Sequence, residues 1–122
     1  MPRVIRQRQR SDCVVAAIAN ALGLSYSTVK EVCGSTRGGL ALHEIEWLAG
    51  EFGQWRSISP RLGKPLRDWA RKHPTGRYVV SLGTFLAAHA VAVVDGEILG
   101  ECNESLDVCH YLVFVGNLLK KV

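Results

Sequence analysis

The sequence predicts an α+β domain, with helices in its first part and an antiparallel sheet after them. Three observations lead there. Apolar residues recur at helical spacing from Val14 to Trp69, the period drops to two from Arg77 onward, and Asp95-Gly96 stands between two β-patterned runs as a tight-turn dipeptide. At 122 residues the chain is expected to form one domain, large enough for a real core and too small for two. With 48% hydrophobic and 21% charged residues it has globular rather than disordered composition.

The first helix is expected after Ser11 and Asp12, both good N-cap residues. Val14, Val15, Ile18 and Leu22 follow at helical spacing, and Gly23 supplies a stop. LSYSTVKEVCG reads as a short second helix capped by Ser25 or Ser27, with Val29 and Val32 facing inward, Cys33 in the core and Gly34 as terminator. A loop, STRGG, precedes LALHEIEWLAGEFG, where Leu42, Ile45, Leu48, Ala49 and Phe52 share one helical face closed by Gly53. A further loop containing Pro60 leads to KPLRDWARKHPTG. This is a short helix with Pro65 near its start and Pro74 enforcing its end, and it buries Leu66, Trp69 and Ala70. The strands expected are RYVVSL, AHAVAVV, EILGEC and HYLVFVG, with the helices confined to residues 11–73 and the sheet to 77–116. The first helix is expected to pack on that sheet, the arrangement that closes an α+β core.

The formal net charge is +4, and Arg3, Arg6, Arg8 and Arg10 crowd the start of the chain. In an extended arm Arg6, Arg8 and Arg10 share one face while Gln7 and Gln9 share the other. Such an arm suits nucleic acid or an acidic partner, but a solvated edge explains it equally well. Without interleaved aromatics or a recognition motif, nucleic acid is a minor expectation. No apolar run reaches the length of a membrane span and no secretory leader is evident, so a cytoplasmic chain is expected. Cys13, Cys33, Cys102 and Cys109 form no small disulfide scaffold, and free thiols are the expectation.

Cys13 draws attention because it falls in the first turn of the first helix. There, unpaired backbone N–H groups and the helix dipole favour thiolate over thiol. Gln7, six residues upstream, is a candidate donor to an oxyanion, although Gln9 points the same way. His89 opens an apolar strand far downstream, and Asn103 lies just past the next one. Cysteine, then histidine, then a polar orienter is the order a thiol hydrolase needs. Each residue also has a plain structural reading, since cysteine is commonly an inert small hydrophobe and strand histidines are commonly core residues. Extending the Asp95-Gly96 hairpin outward sets His89 opposite Cys102. A one-residue shift brings Asn103 or, the other way, Glu101 into that place; Asn103 is the choice made here. Asp95 is consumed by the turn. His43 and Glu46 lack a second ligand pair and read as a surface pair. Cys102, Cys109 and His110 fit no close-paired zinc spacing, so no metal or other cofactor is expected.

The opening, Gln7 followed after four residues by Asp12-Cys13 and VVAAIANALGLSY, resembles the double-glycine leader peptidase domains of bacteriocin exporters, a branch of the papain-like cysteine peptidases. The later portion, HPTGRYVVSLGTFLAAHAVAVVDGEILGECNES, is similar to small stand-alone papain-like domains of tailed phages and bacteria. Together the two likenesses span most of the chain. They imply a papain-like fold over residues 1–122 and a cysteine peptidase acting on a peptide or protein substrate, and the second likeness implies a phage-encoded accessory enzyme. By residue, the resemblance gives Cys13 as nucleophile, His89 as general base, Asn103 as orienting group and Gln7 as oxyanion donor. Val14 departs from the glycine that usually follows the exporter cysteine, and TFLAA lengthens the connection before His89. The rival expectation is a papain-like domain without catalysis, binding a host or virion protein through the arginine arm or the surface near Trp47 and Trp55.

Overall fold

The computed structural model describes residues 13–33, 42–83, 88–100, 102 and 104–115. In chain order these residues form α1 (Cys13–Leu22), α2 (Tyr26–Cys33), α3 (Leu42–Gly50), β1 (Trp55–Ile58), α4 (Leu66–Arg71), β2 (Arg77–Gly83), β3 (Ala88–Val94), β4 (Glu97–Leu99) and β5 (Val108–Phe114). The strands make one five-stranded antiparallel sheet in the order β1-β5-β2-β3-β4. The fold is therefore α+β, as the change of period implies.

Helix α1 is buried on every side, from Cys13 to Leu22, rather than along one stripe. Its run of alanines explains this: small side chains let neighbouring elements close in all round a helix that has no polar face. It lies across β3, with α2 against it and β2 and β4 at its flanks. Ser25 is the cap of α2, its Oγ accepting from the Thr28 backbone N–H at 3.1 Å. Val29 is fully buried but Val32 is 48% exposed, against the expectation that both face inward. In α3, Ile45, Leu48 and Ala49 are buried as expected. The helix ends at Gly50, and a tight turn with Phe52 N–H on Ala49 O at 2.9 Å then drives Phe52 into the core.

Strand β1 falls where only a loop was expected, so the sheet begins inside the part of the chain taken as helical. It pairs with β5 from Trp55↔Phe114 to Ile58↔Tyr111. Trp55 holds it in place, donating its indole N–H to Ala49 O at 2.8 Å and meeting the Phe114 ring edge-on at 5.2 Å. Helix α4 starts after Pro65 and buries Leu66, Trp69 and Ala70.

The Asp95-Gly96 hairpin has the predicted register, Val94 facing Glu97, and both turn residues have positive φ, 50° and 80°. Asp95 Oδ1 accepts from Gly76 N–H at 3.0 Å, so the turn does absorb this carboxylate. The return strand is shorter than EILGEC, because the ladder ends at Ala92↔Leu99. Gly100, with φ at 134°, turns the chain away in a conformation other residues resist. Strand β5 begins at Val108, two residues earlier than expected. Ser81 faces His110 and Leu82 faces Val108, so Cys109 is the extra residue of a bulge, its thiol donating to Ser81 O at 3.4 Å.

The sheet separates two cores. On one face Val79, Ala90, Ala92, Leu99 and Leu112 pack with α1 and with side chains of α2 and α3. On the other, Val80, Leu82, Val91 and Val93 pack with Leu66, Trp69 and Ala70 of α4. No helix among the described residues is long and apolar enough to cross a membrane.

Candidate functional site

Cys13 opens α1 and is buried, with 8% of its surface exposed, in the same core cluster as Ala90 and Ala92. His89 is the second residue of β3 and is partly exposed. The direction of α1 follows from its far end, where Arg77 Nη1 donates to Ala21 O at 2.7 Å. Arg77 pairs with Val94, so the end of α1 lies at the end of β3 and the two elements run the same way. Cys13 to Ala21 spans about 12 Å of helix, the rise of three to four strand residues. Counted back from Val94, this brings Cys13 level with Ala90 and Val91, in the first half of β3.

Strand alternation adds a constraint. Ala90 and Ala92 face α1, while Val91 and Val93 face α4, and regular alternation puts His89 in the row of Val91 and Val93. Across the ladder on its β2 side His89 pairs with Leu82. On the other side β4 stops at Leu99, opposite Ala92, so Cys102 does not reach the position opposite His89 that the hairpin count gave it. Gln7, Gln9, Glu101, Asn103 and the four arginines of the opening arm lie outside the described residues.

A second histidine stands out that the sequence reading considered only as a metal ligand. His110 is 2% exposed and on the α1 face of β5, directly opposite the fully buried Ser81. Its Nε2 lies 2.7 Å from Ser57 Oγ and 3.3 Å from Glu46 Oε1. Ser57 donates its single hydroxyl proton to Glu46 Oε1 at 2.9 Å, so His110 Nε2 must carry a proton and donate to Ser57. That order rules Ser57 out as a nucleophile in this arrangement, since its base would have to be unprotonated at the atom facing it. The cluster is instead a polar tie between α3, β1 and β5. Glu46, expected to share the surface with His43, has a side chain 41% exposed and engaged with Ser57 and His110, while the His43 side chain lies outside the described residues. Burial holds the His110 pKa below its ordinary value, with the nearby Glu46 carboxylate working in the opposite direction. His110 Nδ1 and Ser81 Oγ have no hydrogen-bond partner among the described residues.

The remaining thiols differ from a helix-start cysteine. Cys13, Cys102 and Cys109 are all thiols rather than disulfides. Burial pushes Cys102 up, helped by the Glu104 charge, and burial pushes Cys109 up against a backbone hydrogen bond that lowers it. Among the described residues, no three His, Cys, Asp or Glu side chains gather as a metal site, so Cys102, Cys109 and His110 are not brought together as ligands. Trp47 is 67% exposed, whereas Trp55 is tied into the β1 edge and is not the open surface expected of it. Comparison of the chain with protein-family models, with curated proteins and with solved structures returned no significant match.

Proposed function

We propose that the protein is a papain-like thiol hydrolase that cleaves an amide bond of a peptide or isopeptide. The observation that supports this reading is the co-directional seating of α1 on β3, Cys13 being the first residue of α1 and His89 the second of β3. In the reaction, His89 takes the Cys13 proton and the thiolate adds to the carbonyl carbon. The C–N bond breaks as the imidazolium returns its proton to the departing amine, leaving a thioester. Water, deprotonated by the same imidazole, then releases the acid and regenerates the thiol. Gln7 and the Cys13 backbone N–H receive the oxyanion, and Asn103 or Glu101 orients the ring. Loss of one oxyanion donor at Gln7 would lower the rate a hundredfold or more, about 3 kcal/mol of barrier. The chemistry requires the imidazole to reach past the sheet end toward α1, out of the row its strand position gives it.

Site-resolved alkylation with iodoacetamide tests the reading. Cys102 and Cys109 have raised pKa values and should react slowly near neutral pH, while an ion-paired Cys13 should react well ahead of them, with a rate that persists below pH 7. His89→Ala should return Cys13 to the pH profile of an ordinary thiol. A Cys13 that reacts no faster than Cys102 and Cys109 in the folded protein overturns the hydrolase.

A further inference from the structure

On the sheet face opposite Cys13, between α4 and the loop before it, a cavity of about 170 Å³ is lined by Leu62, Lys64, Trp69, Lys72, His73 and Tyr111, with Pro60 at its edge. Its walls are aromatic and held in fixed orientation. Trp69 and His73 stack at 3.9 Å and 17°, and Tyr111 meets Trp69 at 4.8 Å and 62°. His73 is locked further, since Nδ1 lies 2.7 Å from Trp69 O, a carbonyl that can only accept. The volume falls short of a drug-sized pocket and suits one ring system or one side chain.

Charge at the mouth narrows the occupant. Lys64 and Lys72 both border the opening, and the neighbouring Lys72 ammonium lowers the Lys64 pKa. Two ammonium groups converging in solvent repel each other, and an anion with several oxygens placed between them would remove that repulsion. Asp68 acts on Lys64 in the opposite sense and is the sole acid from residue 61 to residue 73. Over the same span Arg61, Arg67 and Arg71 are also exposed, while the neighbouring loop sets Asp107 beside Gly63 and Glu104 beside Arg67, so the positive charge is concentrated at the two lysines and along Arg67 and Arg71. A carboxylate side chain would engage one lysine well. A phosphate joined through a sugar to a planar base uses both lysines and the aromatic walls together.

We infer that this cavity is a nucleotide site, taking a base among His73, Tyr111 and Trp69 and the adjoining phosphate between Lys64 and Lys72. The ligand is either a free mononucleotide or one residue of a single strand whose further phosphates follow Arg67 and Arg71. The inference is independent of the thiol chemistry proposed for the other face.

The experiment titrates the full chain with thymidine 5′-monophosphate and with a ten-nucleotide oligothymidine strand, following backbone and indole NMR shifts and, for the labelled strand, fluorescence anisotropy. Shifts at Lys64, Trp69, His73 and Tyr111, with at least tenfold weaker binding by the doubly substituted Lys64→Gln, Lys72→Gln chain, support the site. For the strand, each lysine lost should reduce the slope of log K against log salt by about 0.7. Tighter strand binding that Arg67→Gln with Arg71→Gln weakens, at unchanged mononucleotide affinity, identifies single-stranded nucleic acid. Equal affinity for both probes identifies a free nucleotide. The site is overturned if neither probe binds, if the shifts fall elsewhere, or if binding survives the lysine substitutions. Binding lost only on neutralising Arg3, Arg6, Arg8 and Arg10, or an acidic peptide binding where both nucleotide probes fail, also overturns it.

Discussion

At the scale of single residues, the polar side chains inside the fold say most about its energetics. His110 is nearly inaccessible, shares Nε2 between Ser57 and Glu46, and keeps Nδ1 without a partner among the described residues. A buried, unpaired polar atom costs on the order of 1–3 kcal/mol, and protonating that ring would add a buried charge to the cost. Burial therefore lowers the folded-state pKa while the unfolded histidine titrates near its ordinary 6.5. Just below pH 6.5 the unfolded chain binds more protons than the folded one at this position. Stability conferred by the neutral ring is thus present above 6.5 and is lost as pH falls toward the folded-state pKa. Thermal unfolding of the wild type and of His110→Gln at pH 8 and pH 5.5 measures this. The drop in Tm between the two pH values should be smaller in the variant, and an equal drop would show that His110 is not the titrating group. The same residue shows what a sequence conceals: HYLVFV gives the strand, but no local signal says that Glu46 and Ser57 will meet its histidine.

At the scale of elements, the parts read correctly from the sequence are those whose local chemistry and tertiary environment agree. Asp95-Gly96 specifies a two-residue turn whatever surrounds it, and the register of Val94 with Glu97 follows. Gly96→Ala should therefore destabilise the fold. Its φ of 80° disfavours a side chain, and an added Cβ would lie 3.3 Å from Pro74 Cα, a backbone atom with little room to yield. Destabilisation of about 1–2 kcal/mol is expected, read as a lower urea midpoint at unchanged m. No shift in the midpoint would mean that the turn rearranges at negligible cost. Strand β1 was not legible because WRSI is short, half polar and at the sheet edge, where the pairing partner β5 lies more than fifty residues later. The shorter β4 was hidden for a related reason, since EILGEC reads as a continuing strand while the ladder stops at Leu99, just before Gly100 at a φ of 134°. Val32 shows the converse: helical spacing put it inward, but the packing of α2 on α1 covers Val29 and leaves Val32 in solvent.

At the scale of the molecule, the sheet is covered on both faces, by α1 on one side and α4 on the other, and this explains why YVV in β2 and AVAVV in β3 are apolar at successive positions. The seating of α1 on the sheet was legible because an alanine-rich helix with no polar face has to be enclosed. Its direction was not legible, since it depends on Arg77 reaching the far end of the helix. The two-faced architecture also separates Cys13 from the inferred nucleotide cavity. Cys13 belongs to the α1 core, Trp69 and Tyr111 to the α4 side, and the sheet between them is continuous hydrogen-bonded backbone. Sites more than about 7–10 Å apart with no shared partner contribute additively. Cys13→Ala should consequently leave thymidine 5′-monophosphate affinity within twofold of wild type. The paired Lys64→Gln, Lys72→Gln substitution should likewise leave the Cys13 alkylation rate within twofold at every pH tested. A larger change in either direction would mean that the sheet transmits a rearrangement between its faces, in which case the two substitutions made together should depart from the sum of their separate effects.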